Sequence, residues 1–77
     1  MDVKRYTRLL YLLKTHGLNM TDVARNLSCT PQNVLYFCQG KTQSIRVARA
    51  IAALTGSPVA VSQICRLPVE EIKEQAS

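Results

Sequence analysis

Tryptophan is absent from this 77-residue chain, phenylalanine occurs once and tyrosine three times. A core with so few large rings must be filled mainly by aliphatic side chains, and at 47% hydrophobic residues the chain has enough of them for one compact helical bundle. A domain this small buries only about 60–65% of its unfolded surface, so its stability is expected to be modest. Long apolar runs are also missing. The run near the N-terminus, Leu9 to Leu13, is only five residues and lies inside an amphipathic pattern, too short for a signal peptide core or a membrane span. The protein is therefore expected to be soluble and cytoplasmic, with no membrane partner.

Catalytic and metal-binding sets are equally sparse. The three cysteines, Cys29, Cys38 and Cys65, contain no C-x-x-C pair and accompany a single histidine. They supply neither zinc spacing nor an even disulfide set, and reduced thiols in a cytosol are the simplest account. The three glycines are isolated rather than gathered into a phosphate loop, and no nucleophile, base and acid occur in a usable set. A thiol beside a buried face, as at Cys38, is ordinarily inert. The reading is a protein that is not an enzyme and takes no cofactor, metal or small-molecule substrate.

Acids are scarce where bases are common. Between Val3 and Val69 there are nine basic residues against one acid, Asp22, a segment charge of +8. The end of the chain reverses this, with Glu70, Glu71 and Glu74 against Lys73, and with Asp2 near the start the whole returns to +5. A basic body suits a polyanion partner, because each neutralised phosphate releases condensed counterions.

Helical periodicity dominates what remains. A first helix is predicted from about Val3 to His16, with Val3, Tyr6, Leu10 and Leu13 on an inward stripe, Leu9 widening it, and Lys4, Arg5, Arg8 and Tyr11 turned away. Gly17 is the expected left-handed stop, and Lys14 and His16 suit the negative end of the helix dipole. Met20 to Gln39 reads as two short helices joined by a three-residue turn. Asn19 caps the first, with Asp22 in its opening turn, and Thr30 with Pro31 opens the second. Val23, Ala24, Leu27, Cys29, Val34 and Phe37 form the inner faces of the corner. Beyond a polar loop, Gly40 to Gln43, Ser44 caps a fourth helix through Leu54, buried at Val47, Ala48, Ile51, Ala52 and Leu54. Ser57-Pro58 opens a fifth helix to about Ile64, and Val69 to Gln75 adds a final turn or two.

The segment MTDVARNLSCTPQNVLYFCQ, Met20 to Gln39, resembles the helix-turn-helix of phage repressor and Cro-like DNA-binding domains, and Gly40-Lys41 is similar to that family's loop after the recognition helix. A looser similarity runs from about residue 6 to about residue 65. The resemblance implies an all-α, lambda repressor-like bundle of about five short helices, with residues 1–67 as the DNA-binding domain and 68–77 as an acidic tail or final helix. It also implies a sequence-specific transcriptional regulator in a bacterial cytosol or nucleoid, binding a palindromic operator as a homodimer. Two positions depart from the pattern. Ser28 stands where the turn commonly has glycine, which asks a residue with a Cβ to accept strained or left-handed dihedrals or the turn to differ slightly, and Met20 stands where a glutamine often touches phosphate.

Helix phase selects the residues that would read DNA. With Val34, Phe37 and Cys38 inward, the opposite side centres on Gln32, Tyr36 and Gln39, flanked by Asn33 and Leu35. Gln32 and Asn33 can pair bidentately with adenine, Tyr36 can make apolar contacts, and Thr30 at the helix entrance can meet a phosphate or a thymine methyl. Lys41, Thr42, Arg46, Thr21 and Gln39 are the candidates for the DNA backbone, Thr21 because it opens a helix whose amides face outward. Val59, Val61, Ile64, Leu67, Val69 and Ile72 form either a dimer surface or the closure of the monomer core. The competing functional reading is a small helical adaptor, an antitoxin or anti-host factor, that uses the corner as scaffold and Leu35 and Tyr36 as a protein-facing patch.

Overall fold

The computed structural model describes residues 1–73 and is entirely helical among them. Six helices follow in order: α1 (Val3–Thr15), α2 (Met20–Leu27), α3 (Pro31–Cys38), α4 (Ile45–Thr55), α5 (Pro58–Cys65) and α6 (Val69–Lys73). The all-α class agrees with the periodicity, and the count exceeds the expected five because Val69–Lys73 completes a short helix of its own. The part of the expected final turn at Glu74 and Gln75 lies outside the described residues. No described helix is long and apolar enough to cross a membrane.

Local signals set the helix starts. Asn19 and Asp22 form a reciprocal capping box, each side chain accepting the other's backbone N–H at 3.0 and 2.9 Å. The Ser44 hydroxyl accepts from Val47 N–H, and the Asp2 carboxylate caps α1 by accepting from Arg5 N–H at 3.0 Å. Ser57 differs from its expected role. Its hydroxyl donates to the Thr55 carbonyl at 3.1 Å and makes no cap bond, so proline alone marks the start of α5.

One device stops five helices. Residues 17, 28, 40, 56 and 66 each adopt left-handed dihedrals, and the residue after each donates a backbone hydrogen bond five positions back, as in Cys29 N–H to Ala24 and Lys41 N–H to Tyr36. Three of these stops are glycines; Ser28 at φ 55° and Arg66 at φ 56° carry a Cβ. Of the two possibilities open at Ser28, the turn takes the left-handed one, formed without glycine.

α4 is the central element and packs against α1, α2, α5 and α6. Its buried face is Val47, Ala48, Ala50, Ile51, Ala52 and Thr55. Leu54, expected inward, is half-buried, while Ala50 and Thr55 are buried and the Thr55 hydroxyl donates to the Ile51 carbonyl at 2.7 Å. Val61, Cys65 and Ile72 close the core from α5 and α6. Ile64 and Leu67 also pack against it, so most of the apolar C-terminal third completes the monomer. Val59 alone of that set stays largely exposed.

The first helix is rotated from expectation. Its buried residues are Arg5, Leu9 and Leu13, at successive i+4 steps, while Tyr6 and Leu10 are half-buried and Val3 is 61% exposed. α1 is held by α3, α4 and α5 together, and the end of α3 arrives opposite position 5. That approach draws in the Arg5 side chain and leaves Val3, at the tip of the helix, in solvent.

Candidate nucleic-acid interface

α2 and α3 meet across Ser28, Cys29 and Thr30, and the corner is locked from within. Val23 and Ala24 are buried on α2, and Val34, Phe37 and Cys38 on α3. Cys29 and Leu27 pack half-buried against the same core, Cys29 filling the turn as its position suggested. Phe37, the only phenylalanine, has no exposed surface. Burial of such a ring is worth about 1.5–3 kcal/mol and fixes which side of α3 can face outward.

That outward side carries Gln32, Asn33 and Tyr36, all exposed. Thr30 is exposed too, but its hydroxyl already works as the N-cap of α3, accepting from Asn33 N–H at 3.4 Å. It keeps its own proton to donate. Leu35 is half-buried rather than exposed, so an apolar patch with Tyr36 is smaller than the sequence suggested. Gln39 is a correction to the outer face: its Oε1 is buried without a hydrogen-bond partner, and its carbonyl accepts Asp2 N–H at 2.8 Å. The left-handed stop at Gly40 turns the chain toward α1 here, and Gln39 goes with that junction instead of with Gln32 and Tyr36.

The flanking cations gather on one side. The Lys41 ammonium lies 5.3 Å from the centroid of the Tyr36 ring, a cation–π contact that ties the loop to α3. Thr42, Ser44 and Arg46 line a cleft of about 280 Å³ together with Asn33, Tyr36 and Cys29. Two side chains from the outer face of α3 and two from the polar segment after it thus share one concavity. Gln32 and Thr30 stand outside it. Thr21 is exposed at the start of α2, where the capping box occupies the Asp22 amide. Met20 itself packs half-buried on the core, which accounts for a methionine at that position.

No family model, curated protein or solved structure matches this chain. The chemistry of the site therefore rests on its geometry.

Surface charge is less than the composition suggests. Arg25 approaches Asp22 at 3.9 Å, an exposed pair worth little in stability. Arg5 is only 8% exposed and is lost to the surface altogether, although its place in the sequence pointed outward. Lys4, Arg8, Lys41 and Arg46 remain exposed. His16 follows its expected C-terminal role: Nδ1 lies 3.0 Å from the Leu12 carbonyl. Burial pushes the Cys38 thiol up to about 11, nearby Cys65 adding to the shift and the Arg5 charge opposing it. Cys65 is raised to about 11 for the same first reason. Both are protonated at neutral pH and poor nucleophiles.

Sequence reasoning missed two residues at this end of the molecule. Asp2 could have been found as an aspartate immediately before an amphipathic run. Nothing in the pattern around Arg5 marks it as buried.

Proposed function

We propose that the protein is a sequence-specific DNA-binding regulator of the Cro-like helix-turn-helix kind, a repressor that occupies a palindromic operator as a homodimer. The observation that carries this reading is the division of α3: Val34, Phe37 and Cys38 anchor it, while Gln32, Asn33 and Tyr36 stand uncovered beside Lys41, Thr42 and Arg46. Uncharged amides on a rigid helix suit base edges in a major groove, and flanking cations and hydroxyls suit phosphates. In this reading Gln32 and Asn33 read bases, Tyr36 and Thr30 add apolar and hydroxyl contacts, and Lys41, Thr42, Arg46 and Thr21 hold the backbone. The half-burial of Leu35 weighs against α3 as a protein-docking patch.

Selection from random duplexes, followed by titration of the selected and scrambled sequences at several salt concentrations, tests the proposal. A palindromic consensus and a steep loss of affinity with salt are expected. Gln32→Ala should weaken the selected site by about 1–3 kcal/mol and leave scrambled duplex nearly unchanged; Lys41→Ala should weaken both and reduce the salt slope by about one. Equal binding to every sequence, or none at low salt, sinks the reading.

A further inference from the structure

Arg5 is the only charged side chain in the core of the described residues. Its guanidinium carbon lies 4.5 Å from the centroid of the Phe37 ring, and its Nε and Nη2 are buried without a hydrogen-bond partner. A buried cation lacking a carboxylate is costly compared with an apolar side chain of the same length, and stacking on one ring returns only part of that cost. Stability alone does not account for it.

Arg5 lies against the end of α3 through Phe37, and its charge also reaches Cys65 of α5. Helix α3 has no basic residue in its own last turn, and the Arg5 guanidinium, stacked on the ring of Phe37, brings a positive charge beside that turn, the sign that the end of a helix dipole favours. Two further ties join the same place. Asp2, whose carboxylate accepts from Arg5 N–H, donates its own N–H to the Gln39 carbonyl. Gly40, at φ +80°, lies so close that a Cβ there would sit 3.0 Å from the Asp2 Cβ.

We infer that Arg5 is a positioning residue for α3: stacked on Phe37 at the helix's C-terminal end, it fixes the last turn and with it the direction in which Gln32 and Tyr36 point. Its link to DNA affinity rests on the reading proposed above; its link to the order of α3 does not.

The test separates the two. In Arg5→Met the thermal midpoint should be unchanged or raised, since an uncompensated charge leaves the core. Amide exchange at Gln39, Gly40 and Lys41, whose N–H groups bond to Leu35, Phe37 and Tyr36, should nevertheless quicken about tenfold while the core of α4 keeps its protection. Affinity for a selected duplex should fall about tenfold with nonspecific affinity held within about twofold. Arg5→Lys, which keeps the charge without the planar stack, should recover part of both effects. Phe37→Leu, read by exchange at the same amides, provides the result if Arg5→Met does not fold. Unchanged exchange at those three amides in a folded Arg5→Met protein, or in Phe37→Leu, overturns the inference. A wild type that binds no DNA overturns the proposed function and leaves the exchange result standing.

Discussion

Ser28→Gly is expected to stabilise the protein. Ser28 closes α2 at φ 55° and ψ 41°, and it is one of two residues with a Cβ at the five left-handed stops. An L-residue with a side chain pays about 1–2 kcal/mol in that region. Glycine removes the penalty and returns about 0.5–1 kcal/mol of it through its greater freedom in the unfolded chain. The net gain is about 0.5–1 kcal/mol, which for a domain of this size raises Tm by about 2–8 °C. Arg66→Gly, at φ 56°, should gain a similar amount. The two stops end different helices, so the gains should add in the double variant. Thermal unfolding followed by far-ultraviolet circular dichroism, with urea titration to verify an unchanged m-value, measures each step. A Ser28→Gly protein no more stable than wild type would refute the strained left-handed corner between α2 and α3, and with it the geometry that presents α3.

Two other perturbations follow from the same structure. Gly40→Ala should cost more than Gly56→Ala, by about 1 kcal/mol or more in urea titration, because both lose left-handed freedom but only the Cβ at residue 40 meets Asp2; equal costs would remove the close approach of Asp2 to the end of α3. The buried thiols predict an alkaline limit. The folded values of Cys38 and Cys65 lie near 11, above the ordinary 9.0, so the stability from burying them neutral is complete below pH 9 and is lost as pH rises through 11. Urea midpoints across that window should fall less in Cys65→Ala than in wild type, and a maleimide at pH 7 should modify half-buried Cys29 before either.

Much of the corner was legible because its signals are local. The Asn19 cap, the Thr30-Pro31 start and the Ser44 cap each involve residues within about four positions, where sequence spacing is also spatial spacing. The outer face of α3 followed from Val34 and Phe37 for the same reason. Gln32, Asn33 and Tyr36 stand on it as the helical period required.

Composition and short-range spacing determined the helical class, the starts and stops of most helices and the inner and outer sides of α3, because these depend on backbone hydrogen bonds and periodicity within one segment. Packing decided the rest. The rotation of α1, the burial of Arg5 on Phe37, the inward turn of Gln39 and the choice of Val61, Cys65 and Ile72 over Val59 for the core all depend on which surfaces distant helices bring together. A one-dimensional pattern ranks side chains by polarity, and on that scale Arg5 belongs outside. Only the arrival of an aromatic ring and the end of α3 at its side makes a buried place for it.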